Sequence, residues 1–253
     1  MAFRILACLS GMWLSLVFGG LSLADENRLL IVGFSTPPYL SIGPDDEPRG
    51  LLVDLVKTAA AESDVEVHFE VTSWPRAQLE VRKGAADLIF PVVYTPERED
   101  WLNYPTNPIT QFEMMIFARK NPSYDFTGDV TQLHGLSIGK IASGRMHPNF
   151  RALEESGKAR IASRDSLEEL LTAVHLERLD GFVAPHLMTI EEAHRIDLDT
   201  VAPFAQPVGV SDIYLAFSKN STKTEAWNRL QQNLPRLDQA RADFLLSMKE
   251  TDN

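Results

Sequence analysis

The alternation of short apolar runs with amphipathic stretches is the feature of this chain that most constrains its fold. From residue 29 to residue 90, runs typical of buried strands alternate with apolar residues at helical spacing. The predicted strands are Leu29–Gly33, Val65–Val71 and Leu88–Phe90, with helices near residues 51–60 and 73–81. A strand–helix–strand–helix–strand order predicts a parallel sheet covered by helices.

The same pattern starts again after residue 110. The further predicted strands are Met114–Ala118, Leu136–Ile141, Arg160–Ala162, Gly181–Ala184 and Ile213–Ser218, and the helices lie near residues 149–156, 167–174, 188–195, 224–234 and 237–248. The simplest architecture is an α/β fold of two lobes, with the second lobe inserted in the first. Two crossings, near residues 109–114 and 211–216, would let the lobes hinge around a cleft. We expect one lobe to hold residues 25–110 and 214–253, and the other residues 111–213.

The first 24 residues predict a secretory signal peptide. Arg4 precedes an apolar stretch over residues 5–23, and residues 22–24 form a small–x–small cleavage site. A retained membrane anchor is the alternative, because the apolar stretch is close to spanning length. Export would place the protein in the periplasm. It would also remove Cys8, the only cysteine, and with it disulfide and thiol chemistry.

Charge and motif content exclude several classes of function. The formal net charge of −11 makes nucleic acid and anionic membrane surfaces poor partners, so an anionic ligand needs local basic groups. The six histidines show no convincing metal-ligand spacing. The sequence also contains no nucleotide-binding or nucleophile motif, so we expect no metal, cofactor or covalent catalysis.

The loop after the predicted strand Leu88–Phe90 carries groups that suit a carboxylate. Ligands of open α/β sheets usually bind where such loops leave the strands. Thr95 supplies a hydroxyl and Arg98 a planar fork of donors. Trp74, near the end of another strand, is a further candidate because flat rings often flank small ligands, although core packing is its alternative.

Five short motifs occur in an order and spacing that are typical of one family. They are Gly33-x-x-x-Pro37-Pro38-Tyr39, Gly50-x-x-Val53-Asp54-Leu55, Trp74 with Leu79 and Gly84-x-x-Asp87, Thr95-Pro96-Glu97-Arg98, and Leu133-x-Gly135-x-x-Ile138-Gly139. In these motifs the chain resembles the periplasmic solute-binding proteins of family 3, the polar amino-acid type that serves ABC importers. The resemblance spans nearly all of the chain after residue 24.

The resemblance implies a periplasmic-binding-protein-like fold that closes on a small, amino-acid-like solute in the manner of a Venus flytrap. It implies a monomer without cofactor or enzymatic activity, whose partner is a membrane permease. At matching positions it assigns Arg98 to the ligand's carboxylate and Tyr39 to the pocket wall, with core packing as the alternative for Tyr39. Ser143, Gly144 and Arg145 would bind the ligand from the second lobe.

The chain departs from the family pattern at two places. Hydrophobic residues and Tyr94 stand where serines usually precede the T-x-x-R motif, and Pro185 stands where an acid usually binds the ligand's ammonium. An ammonium would need another partner, such as Asp180 or Glu192. These departures argue against an α-amino acid ligand but leave a binding protein as the main hypothesis. Two other functions stay open: an acid-catalysed eliminating enzyme of the dehydratase type, using Asp180, Glu192 or Asp212, and a sensory module that signals to a membrane receptor.

Overall fold

The computed structural model describes residues 26–142 and 146–251, with side chains up to residue 247. Its strands are β1 Arg28–Gly33, β2 Ser41–Ile42, β3 Pro48–Arg49, β4 Glu66–Val71, β5 Leu88–Val93, β6 Leu102–Asn103, β7 Thr110–Arg119, β8 Ser137–Ile141, β9 Arg160–Arg164, β10 Gly181–Pro185 and β11 Val201–Ser218. Its helices are α1 Leu51–Glu62, α2 Trp74–Lys83, α3 Pro148–Ser156, α4 Leu167–His175, α5 His186–Arg195, α6 Thr224–Asn233 and α7 Asp238–Thr251.

A curled sheet of nine strands runs through the described residues in the order β4-β1-β5-β11-β7-β10-β8-β9, with β6 paired to β11. The short strands β2 and β3 pair with each other in a separate sheet. The strands at both ends of this order are parallel, whereas β11 is antiparallel to both β5 and β7. The chain therefore leaves the first parallel unit along β7 and returns along β11. This topology confirms the predicted α/β fold in which a second lobe is inserted in the first.

Both lobes repeat one strand order, and this places their binding edges. The orders β4-β1-β5 and β9-β8-β10 each put the first strand between the second and the third. The end of β5 at Val93 pairs with Ile213, and the end of β10 at Pro185 pairs with Met114. The carboxyl ends of both parallel units consequently meet the segment where β7 and β11 cross between lobes, which is where ligands bind in such sheets.

Four clusters of buried apolar residues flank this sheet. Helices α1, α6 and α7 cover one face of the first lobe, and α2 covers the other. Helices α4 and α5 cover one face of the second lobe, and α3 covers the other. Leu187, at the start of α5, is buried in the cluster of the first lobe, so the two lobes also touch beside the crossing.

In each lobe, an aspartate just before the third strand of the parallel unit is hydrogen-bonded to the first strand. The carboxylate of Asp87, just before β5, accepts a hydrogen bond of 2.8 Å from the backbone N–H of Leu30 on β1. Asp180, just before β10, accepts one of 2.7 Å from the N–H of Ser137 on β8. Both lie at the amino ends of their strands, opposite the binding edges. The aspartate of the Gly84-x-x-Asp87 motif is therefore a structural residue.

The structure differs from the predicted elements mainly in β11. This strand begins at Val201, twelve residues before the predicted Ile213. Proline is uncommon inside strands, so Pro203 and Pro207 argue against a strand in this part of the sequence. In the structure the register of β11 with β7 shifts between these two prolines. Among the described residues, no helix is both long and apolar enough to cross a membrane.

Candidate ligand-binding site

The carboxyl edge of the first lobe brings the end of β1 against β5. A Cβ atom at Gly33, the last residue of β1, would overlap the carbonyl oxygen of Phe90 on β5. Only glycine allows this close approach. The loops that follow the two strands therefore leave the sheet side by side, and they carry Phe34 and the segment from Tyr94 to Arg98.

Arg98 lies at this edge in the short 3₁₀ turn Pro96–Arg98. Its backbone N–H donates to the carbonyl of Thr95 at 3.0 Å, which closes the turn. Its side chain returns to the end of β5, where Nη1 donates to the carbonyl of Val93 at 2.7 Å. The guanidinium is thus half-buried and oriented by the strand end itself.

Trp74 lies against this guanidinium. It is the first residue of α2, after Ser73 in an extended conformation. The Cζ atom of Arg98 lies 5.2 Å from the centre of the Trp74 ring, within the range of a cation–π contact. Phe34 packs edge-on against Trp74 with ring centres 5.6 Å apart. The structure therefore brings together two predicted site residues, Trp74 and Arg98, and adds Phe34.

Three tyrosines that the sequence motifs did not mark continue this group. The hydroxyl of Tyr104 donates to the same Val93 carbonyl at 3.3 Å. Its ring meets those of Tyr94 and Tyr214 edge-on at 5.3 and 5.2 Å. Burial raises the pKa of Tyr104 to about 12, although the charge of Arg98 acts in the opposite direction. The phenol therefore stays protonated at neutral pH.

The two remaining first-lobe candidates are buried. Thr95 is 6% exposed, and its carbonyl accepts the hydrogen bond from the backbone N–H of Arg98. Its contact with the ligand stays a prediction. Tyr39 is 1% exposed and packs against Phe90 and Phe112, with ring centres 6.3 and 5.1 Å away. Burial raises the pKa of its phenol to about 12. In this conformation Tyr39 belongs to the core, which was the alternative for this residue, and its pocket role stays a prediction.

The predicted second-lobe contacts Ser143, Gly144 and Arg145 lie outside the described residues. The described backbone on either side of them lies at the carboxyl edge of the second lobe. β8 ends at Ile141 on the carboxyl edge, and α3 begins at Pro148 with His147 as its cap. Beside it, the end of β10 presents Pro185 at the same edge.

A carboxylate on β7 joins the two lobes at their crossing. Oε2 of Glu113 lies 3.3 Å from Nδ1 of His186, the first residue of α5, and 3.4 Å from a guanidinium nitrogen of Arg241 on α7. Arg241 is nearly buried, with 13% of its side chain exposed. Sequence reasoning missed this cluster because its members come from three distant segments.

The alternative acids have other partners in the structure. Asp180 lies at the opposite end of β10 from Pro185 and holds the N–H of Ser137. Glu192 forms an ion pair with Arg195 at 2.8 Å. Asp212, on β11, accepts a hydrogen bond of 2.8 Å from the amide of Gln111. No cluster of three or more potential metal ligands occurs among the described residues.

Two concavities lie away from the Arg98 edge. One, of about 260 Å³, is lined by residues 105–109 together with Trp227 and Arg236. The other, of about 470 Å³, is an open depression on α4. Neither is lined by any of the predicted site residues.

Solved structures share this fold at low sequence identity. A histidine kinase sensor domain with similarity to periplasmic binding proteins superposes with a TM-score of 0.67, at 18% identity over 90% of this chain and 96% of that one. The P235GK mutant of ArgBP from T. maritima gives 0.63, at 14% identity over 92% and 98%. The probable amino-acid ABC transporter extracellular-binding protein ytmK from Bacillus subtilis gives 0.70, at 14% identity over 81% and 90%.

No curated protein sequence matches the chain. The profile of the bacterial extracellular solute-binding proteins, family 3, matches residues 30–252, which is most of the chain. The match covers both lobes and the two crossings between them. The chain therefore belongs to the bacterial extracellular solute-binding proteins of family 3.

Proposed function

We propose that this protein is a periplasmic receptor that captures a small carboxylate-bearing solute and delivers it to the permease of an ABC importer. The observation that carries the proposal is the guanidinium of Arg98, which is held against Trp74 at the carboxyl edge of the first lobe. A guanidinium fork matches a carboxylate in two parallel hydrogen bonds. The flat indole face offers apolar contact to the rest of a small ligand.

Capture would proceed by hinge closure. The ligand binds Arg98 first, and residues 143–145 then close over it from the second lobe, just before the amino terminus of α3, whose backbone N–H groups favour an anion. Two rigid bodies would move: one formed by residues 25–110 and 214–253, the other by residues 111–213. The hinge between them would lie where β7 and β11 cross. Ligand shifts the equilibrium only by the contacts that it makes in the closed state and lacks in the open state.

Two features of the proposal concern the form of the protein. Residues 1–24 would direct export and be removed. The intact mass of the protein isolated from the periplasm should therefore match a chain that begins at Asp25, and a mass that includes residues 1–24 would overturn this. We also propose that the receptor is monomeric, which size-exclusion chromatography with light scattering tests directly.

The site is proposed to bind without chemical conversion. Asp180 is at the wrong end of its strand for a general acid, Glu192 is paired with a cation, and Asp212 is held by the amide of Gln111. A bound ligand should therefore be recovered unchanged after long incubation, as followed by NMR. Turnover of the ligand by the purified protein would favour the eliminating enzyme instead.

The site itself is tested by a thermal-shift screen of amino acids, small carboxylates and amines. A ligand at about one hundred times its Kd stabilises the fold by about 2.7 kcal/mol, which raises Tm by about 5–11 °C for a chain of this size. Arg98→Ala should abolish the shift. The control is Arg119→Ala, which removes an exposed arginine of the second lobe that is paired with Glu177. A carboxylate that still binds the Arg98→Ala protein would refute the assignment.

A sensory role is the second candidate, because a histidine kinase sensor domain shares the fold over nearly its whole length. Deleting the gene distinguishes the two roles. Loss of uptake of the bound solute supports transport. Unchanged uptake together with a lost transcriptional response to that solute supports sensing.

A further inference from the structure

The first turn of helix α5 carries the second lobe into the core of the first. This helix begins at His186, directly after the binding edge of β10. Leu187 is 3% exposed, and both Leu187 and Met188 pack in the apolar cluster of the first lobe, which also includes Phe244 and Leu245 of α7. The lobes therefore meet beside the crossing strands, with α5 of one lobe and α7 of the other in a single cluster.

Glu113 places one carboxylate between side chains of these two helices. It lies on β7, inside the segment where the chain crosses between the lobes. Its Oε2 atom is 3.3 Å from Nδ1 of His186 on α5 and 3.4 Å from a guanidinium nitrogen of Arg241 on α7. One oxygen atom thus contacts a side chain from each lobe. We call Glu113, His186 and Arg241 the interlobe bridge.

Burial makes this bridge costly to break. The side chains of Arg241 and His186 are only 13% and 21% exposed. Within the part of the chain that the structure describes, Nε of Arg241 is buried without a hydrogen-bond partner, and Glu113 is the one ion-pair partner of this guanidinium. The nearby acid Asp238, one turn earlier on α7, is paired with Arg236 at 2.7 Å. Loss of Glu113 would therefore leave a poorly hydrated charge without compensation.

The position of the bridge couples it to the angle between the lobes. Helix α5 belongs to the second lobe and α7 to the first, so a hinge motion changes the separation of His186 and Arg241. Polar contacts weaken steeply beyond about 3.5 Å, and both contacts of Glu113 are already close to this length. A relative movement of about 1 Å would cost Glu113 one of its two partners.

We infer that the interlobe bridge is a latch that favours the described arrangement of the lobes and so controls how readily the hinge moves. The inference rests on the hinge motion of the proposed function, but not on the identity of any solute. Apparent affinity falls with the fraction of the protein that is in the binding-competent arrangement. Glu113 would therefore tune the affinity for a solute through the equilibrium between lobe arrangements.

Pulsed EPR distances between two spin labels test the latch in the full chain without any solute. Cys8→Ser removes the only cysteine, and Lys57→Cys on α1 and Glu155→Cys on α3 then provide one exposed labelling position in each lobe. We expect one dominant distance. Glu113→Gln keeps the shape of the side chain but removes its charge, and it should lower the ratio of that population to all others by at least about threefold. An unchanged distribution would overturn the inference.

Two further variants separate the latch from a general loss of stability. Arg241→Met keeps an apolar stem, and adding it to Glu113→Gln should cause no further shift, because the contact that it removes is already gone. The control Glu177→Gln breaks an ion pair with Arg119 inside the second lobe and should leave the distances unchanged. A further shift in the double variant, or an equal shift in the control, would refute the latch. Since no solute is used, such a result would leave the proposed receptor function standing.

Discussion

Replacement of Asp87 by alanine should remove the buried ionic anchor of the first lobe. The carboxylate is 5% exposed and accepts hydrogen bonds from the N–H of Leu30 at 2.8 Å and the hydroxyl of Ser221 at 2.6 Å. It also faces the ammonium of Lys223 at 3.3 Å, whose side chain is only 20% exposed. One residue thus ties β1 and β5 to the segment that follows β11.

The expected loss of stability follows from the groups that Asp87→Ala leaves without a partner. Removing one partner of a buried ion pair costs about 3–5 kcal/mol, because the other charge stays without compensation. At about 2–4 °C per kcal/mol for a chain of this size, Tm should fall by about 6–20 °C. The N–H of Leu30 also loses its acceptor, which places the expected value in the upper part of this range.

Asp180→Ala is the matched control for this experiment. Asp180 makes the equivalent bond to Ser137 in the second lobe, but it is exposed, so water can replace the carboxylate. We expect the free energy of unfolding of Asp180→Ala to fall by about 1 kcal/mol. Urea unfolding followed by circular dichroism measures both variants. A loss for Asp87→Ala that does not exceed that for Asp180→Ala would refute the burial argument.

Three further perturbations test other parts of the structure. Gly33→Ala forces a Cβ onto the Phe90 carbonyl, so we expect a loss of about 3 kcal/mol in urea unfolding; a loss below about 1 kcal/mol would contradict the close approach. The folded pKa of Tyr104, about 12, exceeds its ordinary value of 10.0, so its contribution to stability is complete below pH 10 and is lost as the pH rises toward 12. An ultraviolet difference titration against Tyr104→Phe should show the missing phenol ionising near pH 12, and ionisation near pH 10 would be inconsistent with its burial. Glu113→Gln removes the charge that faces the nearly buried guanidinium of Arg241 as well as His186, so it should lower the free energy of unfolding by more than about 1 kcal/mol, and about 1 M salt should reduce this cost in part; a cost that is independent of salt would argue against an ionic bridge.

The periodicity of the sequence predicts the fold well where one face of an element is buried. The helix α1 and the strands β1 and β5 follow the predicted apolar spacing, and parallel pairing follows from their alternation. The first half of β11 could not be predicted in this way. Its residues from Val201 to Asp212 include two prolines and several exposed positions, and the strand exists because β7 supplies a long antiparallel partner.

The site could be predicted only where chemistry is local. Arg98 and Trp74 begin or end short motifs, and the structure brings these two side chains together. Tyr104 and Tyr214 belong to no motif, and only the pairing of distant strands places them beside Arg98. Tyr39 follows a double proline in a loop without periodicity, so the sequence could not show that its ring packs into the core.

The most direct test of the account is a crystal structure of the protein with the tightest-binding carboxylate from the screen. The account predicts both carboxylate oxygens within about 3 Å of the Arg98 guanidinium, the ligand body against Trp74, and contact from residues 143–145. A ligand held elsewhere, such as in the cavity beside Trp227, or one that leaves Arg98 untouched, would contradict the central claim.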